Sequence, residues 1–148
     1  MVTVAASVDV DRPIEAVYAY VADLRNDKHW WRGVTAAERL SGDGGPGTEY
    51  FQDTTLLGVE FPAHLQILEV EPPNRMVYKT IESRTPFVAV YDLEPLSDGR
   101  TRFTMTAQVE ATGALKVLGP LLAPVLRMLA RRYFSALREA VPSGGDAG

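Results

Sequence analysis

The strongest constraint on the fold is an alternation of apolar and polar residues that recurs between residues 34 and 112. It is clearest in residues 87–93 and 103–109, where every second residue is apolar and most of the residues between them are polar. A period of two places alternate side chains on opposite faces of a strand, so one face is buried and the other meets water. Turn-forming Gly, Pro and Asn residues separate the runs, for example at 42–47 and 72–74. We therefore predict six strands joined as hairpins.

The residues before this region predict one further strand and two short helices. Val, Ala and polar residues alternate through residues 2–10, which is typical of a half-buried strand. Apolar residues then recur at helical spacing from about 13 to 22, with Asp11 as a candidate N-cap. Residues 29–33 indicate a short helical turn that leads into the next strand.

The residues after the strands predict a long C-terminal helix from about 116 to 140. Its apolar residues form one broad stripe, and its Arg residues lie mostly off that stripe. We expect residues 1–141 to form a single α+β domain, because no linker or internal repeat divides them. The last residues, 142–148, offer no core-forming side chain and are expected to be a flexible tail.

Composition excludes several classes of function. With a net charge of −4, the chain carries no overall field that attracts nucleic acid. The absence of cysteine excludes disulfides, thiolate zinc sites and cysteine nucleophiles. The longest apolar stretch, 117–126, is about half of the roughly 20 residues that a spanning helix needs, so no stable membrane insertion is expected. The N-terminus lacks the pattern of a secretory signal, which predicts a cytoplasmic protein. We expect the protein to be a monomer or a homodimer.

The order of elements and several short motifs resemble one known family. The motifs are Asp11–Tyr18 after the first strand, Trp30 ahead of Gly33-Val34, Gly47-Thr48, Glu69–Arg75, Tyr91–Pro95, and Asp98-Gly99 before Thr101–Thr104. Together they are similar to the polyketide cyclase and dehydrase branch of the START-like (Bet v 1-like, SRPBCC) superfamily, over nearly the whole chain. One departure is Asp27, where members of that group often have a Trp, and we expect the Trp30-Trp31 pair to compensate.

The resemblance implies a helix-grip fold, in which a curved seven-stranded antiparallel sheet wraps a long C-terminal helix and leaves an apolar cavity. The first functional hypothesis is therefore a protein that binds a small hydrophobic molecule, such as a lipid, polyketide or aromatic metabolite. The second is an enzyme of the cyclase or dehydratase type that uses buried Tyr, Gln or Glu groups. The third is a domain that modulates a protein partner, for which Val88 and Val90 on the polar face of their strand are the only hint.

Extending the alternation to the other strands predicts which side chains line the cavity. Large aromatics with polar tips suit an apolar ligand that carries a few oxygen atoms. The residues expected to contact the ligand are Trp30, Tyr50, Gln52, Tyr78, Tyr91, Met105 and Leu122. The alternative is that the Tyr side chains simply fill the core.

The candidate catalytic group is Glu82, because the same alternation points it into the cavity, where burial would raise the pKa of its carboxyl. A strand bulge that turns Glu82 to solvent is the competing interpretation. His64 is expected on the wet face, and His29 near the cavity entrance is more simply explained by a surface turn. Neither His has a second ligand at metal-binding spacing, and no phosphate loop or dinucleotide fingerprint is present, so no metal and no cofactor are predicted.

Overall fold

The computed structural model describes residues 2–30, 34–56, 58–83 and 86–110, together with residues 124, 128, 132, 136, 137 and 141. The strands are β1 (Val2–Val10), β2 (Val34–Ser41), β3 (Glu49–Leu56), β4 (Val59–Glu71), β5 (Arg75–Ser83), β6 (Phe87–Pro95) and β7 (Thr101–Val109). The helices among these residues are α1 (Ile14–Val21) and α2 (Asp27–Trp30), with 3-10 turns at Leu24–Asn26 and Ser97–Gly99.

The seven strands of the described residues form one curved antiparallel sheet in the order β1-β7-β6-β5-β4-β3-β2. Consecutive strands from β2 to β7 are hairpin neighbours, which confirms the predicted meander. The first two strands instead occupy opposite edges. The chain between them, which carries α1 and α2, must therefore cross the sheet from one edge to the other.

The strand register confirms the predicted inner face. Tyr50 lies opposite Leu65 on β4, and neither side chain is more than 1% exposed. Farther along the sheet, Met76 lies opposite Tyr91, which in turn lies opposite Met105. Residues that pair directly share a face, so the aromatic and apolar side chains of β3 to β7 converge on one surface.

The core on that surface is built around a row of aromatic rings in edge-to-face contact. Trp30 of α2 contacts Phe103 at a centroid separation of 5.9 Å, and Phe103 contacts Tyr91 at 5.0 Å. Tyr91 then contacts Tyr78 at 5.3 Å, and Tyr78 contacts Phe87 at 6.2 Å. Such contacts add about 0.5–1.5 kcal/mol each to the burial of the rings. The row ties α2 to three neighbouring strands.

Most of the predicted C-terminal helix lies outside the described residues. Pro124, Met128, Arg132 and Ala136 are helical, at a spacing of four residues. Leu137 is also helical and is fully buried in the same core as the aromatic row. The continuous helix from 116 to 140 stays a prediction. No helix in the described part of the chain is long and apolar enough to cross a membrane.

The helical segment before β2 differs from the prediction at two positions. Pro13 rather than Asp11 occupies the N-cap of α1, and no side chain caps that helix. The second helix begins at Asp27, two residues before the predicted start. Asp23 allows the 3-10 turn before this helix by accepting a hydrogen bond from the Arg25 backbone N–H, at 3.1 Å.

Candidate functional site

The candidate site begins at α2, whose single turn directs two side chains inward. Asp27 and Trp30 are three residues apart and therefore share one side of the turn. Their exposed fractions are 4% and 1%, whereas Lys28 and His29 between them are exposed. The turn is held in place by Asn26, whose side-chain amide donates a hydrogen bond to the Tyr20 carbonyl at 2.9 Å. A carboxyl group is thus fixed in the core.

Gln52 of β3 holds the Asp27 carboxyl from the sheet side. Its Nε2 donates to Asp27 Oδ2 at 2.7 Å and to the Leu24 carbonyl at 3.2 Å. Gln52 is itself 6% exposed, so both hydrogen bonds lie in the protein interior. The second carboxyl oxygen, Asp27 Oδ1, is buried and has no hydrogen-bond partner among the described residues.

Two tyrosine hydroxyls extend this polar arrangement along the sheet. The hydroxyl groups of Tyr78 and Tyr91 lie 3.1 Å apart, and both side chains are buried. Tyr91 and Trp30 also lie near enough to the Asp27 carboxyl to lower its pKa, more weakly than Gln52 does. We call Asp27, Trp30, Gln52, Tyr78 and Tyr91 the Asp27 cluster. Its members come from α2, β3, β5 and β6, so only the tertiary fold assembles it.

Burial dominates the electrostatics of the Asp27 cluster. Loss of solvent raises the pKa of Asp27 to about 8, and the negative charge of Asp23 raises it further. The hydrogen bond from Gln52 and the smaller effects of Tyr91 and Trp30 lower the pKa of Asp27 but do not offset the burial. Burial likewise raises the pKa of Tyr78 and of Tyr91, and the nearby Asp27 adds to both shifts.

At neutral pH the Asp27 carboxyl is therefore mainly protonated. A protonated carboxyl can donate one hydrogen bond, whereas a carboxylate can only accept. A carboxylic acid kept neutral by an apolar site can hold an oxygen atom of a bound molecule, or can exchange a proton with it. The Asp27 cluster thus offers an acid and neutral hydroxyl groups in an aromatic enclosure.

Four of the predicted ligand-contacting residues, Trp30, Gln52, Tyr78 and Tyr91, belong to the Asp27 cluster. Tyr50 is buried on the same face of β3, two residues before Gln52. The charged side chains of Arg25 and Arg39 lie near it.

The two remaining ligand-contacting predictions lie elsewhere. Met105 is half-buried opposite Tyr91 in the register. Leu122 lies outside the described residues. Contact with a ligand stays a prediction for all of these residues.

The structure does not give Glu82 the environment that its predicted role requires, because its side chain is exposed. Register pairs between β5 and β6 end at Lys79 and Val88, so Glu82 lies beyond the last of these pairs. The pairing of β5 with β4 is also irregular there, between the Leu65 and His64 positions. The exposed position agrees with the competing interpretation, and the buried acid among the described residues is Asp27.

The two histidines lie away from the Asp27 cluster. His29 is exposed on the outer side of α2, as the surface-turn interpretation expects. His64 is half-buried on the outer face of the sheet, where its Nε2 lies 2.6 Å from Glu49 Oε1. The same outer face exposes Val88, on which the hypothesis of a protein partner depends, to 40%.

Sequence reasoning missed Asp27 as a functional residue. The Asn26-Asp27-Lys28 run looks like a solvated turn, and a polar residue in such a run is normally exposed. Two signals were available. Asp27 replaces the Trp that the resembling family often has, and its spacing from Trp30 places both on one side of a helical turn.

Comparison with known proteins supplies the family. The family model described as "Polyketide cyclase / dehydrase and lipid transport" matches residues 1–141. The chain belongs to this family. No curated protein matches the sequence significantly.

Solved structures show the same START-like fold. Protein TTHA0849 of Thermus thermophilus is similar with a TM-score of 0.81 at 20% identity, over 94% of this chain and 96% of that one. A START superfamily protein of Mycobacterium smegmatis gives a TM-score of 0.72 at 16% identity, over 98% and 96%. The Zhui aromatase/cyclase of a Streptomyces species also gives 0.72 at 16% identity, over 94% and 90%. At these identities the likeness concerns the fold.

Proposed function

We propose that the protein binds a small hydrophobic molecule, such as a lipid, a polyketide or an aromatic metabolite, between the inner face of the sheet and the C-terminal segment. The observation that carries this proposal is the Asp27 cluster itself. A core that served only stability would fill this position with apolar side chains, because burying a carboxyl and several polar groups costs free energy. Polar groups held by aromatic walls are the usual composition of a small-molecule site.

The aromatic row supports the same proposal. Trp30, Phe103, Tyr91, Tyr78 and Phe87 form a continuous apolar surface next to the polar groups. Such a surface contributes binding free energy through burial of the ligand, while the few polar groups fix its orientation. The family, whose description includes lipid transport, is consistent with a ligand of this kind.

Native mass spectrometry of the purified protein, mixed with a metabolite extract, tests the proposal. We expect a bound compound of low polarity, with lower occupancy in Gln52→Leu and Tyr91→Phe, which alter the Asp27 cluster. Ser7→Ala is a matched control, because Ser7 is exposed and its hydroxyl hydrogen-bonds to Thr104 of the neighbouring strand, at 2.8 Å. Retention of no compound by the wild-type protein would contradict the proposal and favour the partner-modulating hypothesis.

A second candidate function is catalysis of a cyclisation or dehydration. The observation that favours it is the pairing of Asp27, whose pKa is raised to about 8, with the Tyr91 hydroxyl. A group with a pKa near the working pH can both give and take a proton at an enolisable carbon. Incubation of the retained compound with the protein separates the two functions, because a carrier releases it unchanged, whereas an enzyme releases a rearranged or dehydrated product.

A further inference from the structure

One buried group in the described residues is incompletely hydrogen-bonded in a way that points to a ligand. Asp27 Oδ1 is enclosed by the core and has no hydrogen-bond partner among those residues, although the side chain is only 4% exposed. A buried polar atom without a partner destabilises the fold, so such atoms are rare in native proteins and call for an explanation, such as a functional role or a bound molecule. The other oxygen, Oδ2, is already engaged by Gln52 at 2.7 Å.

The orientation of the Asp27 carboxyl is fixed by the protein before any ligand binds. Gln52 is itself held by the Leu24 carbonyl at 3.2 Å, so it cannot turn away from Asp27 without losing a buried hydrogen bond. Tyr91 of β6 lies near enough to lower the pKa of the Asp27 carboxyl, and its hydroxyl is held by that of Tyr78 at 3.1 Å. A carboxyl and a hydroxyl from two different elements are thus preorganised near each other.

We propose that Asp27 and Tyr91 together bind the carbonyl oxygen of an uncharged ligand, with both side chains as hydrogen-bond donors. This inference rests on the proposed function, and it adds the chemical class of the ligand and the group that recognises it.

The charges around Asp27 exclude an anionic ligand. The groups that interact with the carboxyl are Asp23 of the 3-10 turn, Tyr20 of α1, Tyr78 of β5 and Tyr91 of β6, in addition to Gln52 and Trp30. None of these described groups is cationic. Arg25 is already paired with Asp23 at 2.6 Å, so a carboxylate or phosphate on the ligand would find no free counter-ion among these groups, in an environment where an unpaired charge is costly.

A cationic ligand is also disfavoured by the same surroundings. An amine would require Asp27 to ionise, so two charges would have to leave water, and their attraction repays that cost only with excellent geometry. Burial raises the pKa of the Asp27 carboxyl to about 8, so this group is already held in its protonated form at neutral pH. A carbonyl oxygen needs only the two donors that the site supplies, and no charge has to be desolvated.

A matched pair of probes tests this inference. The first is 2-acetylnaphthalene, and the second is 2-isopropylnaphthalene, which has nearly the same shape but no carbonyl oxygen. Affinities are measured for the wild-type protein, for Asp27→Leu, which has no donor, and for Asp27→Asn, which keeps an N–H donor. Asp92→Asn on the exposed face of β6 is the control for a change of charge.

The expected result is a change in the ratio of the two affinities. Asp27→Leu should reduce the preference for the acetyl compound over the isopropyl compound roughly three- to tenfold, whereas Asp27→Asn and Asp92→Asn should keep it. In the wild-type protein the affinity for the acetyl compound should fall roughly three- to tenfold as the pH rises through about 8 and then level off, because the donor is lost. Asp27→Asn should not show this decrease.

Several outcomes would overturn the inference. One is an affinity ratio that is the same in the wild-type protein and Asp27→Leu, and another is tighter binding of 2-naphthoate or 2-(aminomethyl)naphthalene than of the acetyl compound. If no naphthalene binds, the proposed function fails for aromatic ligands of this size. Infrared spectra of the ligand-free protein then decide on Asp27, because a protonated-carboxyl band that Asp27→Asn lacks supports the donor, and its absence at about pH 7 refutes it.

Discussion

The Asp27→Asn substitution should change how the stability of the protein depends on pH. Burial raises the pKa of Asp27 from 3.8 to about 8 in the folded protein. In the unfolded chain the carboxyl meets water and loses its proton near pH 4. Between about pH 4 and pH 8 folding therefore takes up a proton, so this group's contribution to stability is fully present below about pH 4 and is lost as the pH rises through about 8.

The magnitude follows from the size of the shift. A difference of roughly four pKa units, at about 1.4 kcal/mol per unit, corresponds to on the order of 5 kcal/mol between the two ends of this range. That is comparable with the whole free energy of unfolding of a typical domain, about 5–15 kcal/mol. The amide of Asn is neutral at every pH and can still accept a hydrogen bond from Gln52, so the variant should lack the pH-dependent loss.

Urea unfolding at several pH values from about 5 to 8 measures the effect. We expect the free energy of unfolding of the wild-type protein to fall by up to about 4 kcal/mol relative to Asp27→Asn over this range. All other titrating groups are common to both proteins and cancel in the difference. Asp92→Asn, at an exposed strand position, should follow the wild-type curve. Parallel curves for the wild-type protein and Asp27→Asn would refute the reasoning, because they would mean that Asp27 ionises at an ordinary pH.

Three further results are expected. Gly42→Ala should lower the free energy of unfolding by about 2 kcal/mol in urea titrations, because Gly42 has a φ of 90° and a Cβ there would lie 2.7 Å from the Thr48 Cα. Gly44→Ala should lower it less, because a Cβ at Gly44 meets nothing within 4 Å. Equal losses in the two variants would contradict the steric argument. Leu137→Ala should cost about 2–5 kcal/mol in the same assay, since the side chain is fully buried, and a loss below about 1 kcal/mol would argue against its place in the core. Glu82→Gln should leave the occupancy of the retained compound unchanged in native mass spectrometry, because its side chain is exposed, and a clear loss would return Glu82 to the site.

The sheet could be predicted well because its signal is local. A period of two decides which residues share a face whatever the rest of the chain does, and the inner positions of Tyr50, Tyr78 and Tyr91 follow directly from it. The same rule failed at Glu82, because alternation holds only while the strand pairing is regular. The pairing of β5 with β4 shifts by one residue between Thr80 and Glu82, so Glu82 lies opposite His64 of the outer face.

The centre of the candidate site could not be predicted, because it depends on contacts between distant residues. Asp27 is buried against residues that are distant in the sequence, such as Gln52, which lies 25 residues later and hydrogen-bonds to it from the sheet. No local pattern encodes that meeting, and the local composition around Asn26 and Lys28 favours exposure. The residues contributed by strands were therefore predicted, whereas the acid contributed by the crossing helical segment was not.

The placement of β1 and β2 at opposite edges of the sheet affects how this protein can diversify. Because the chain between them spans the sheet without joining its hydrogen-bonded ladder, substitutions in that connection leave every strand register intact. Two residues of this connection, Asp27 and Trp30, are nevertheless buried in the core. Evolution can thus alter the chemistry of the candidate site by exchanging side chains in one short connection, while the framework that keeps the protein folded is inherited unchanged.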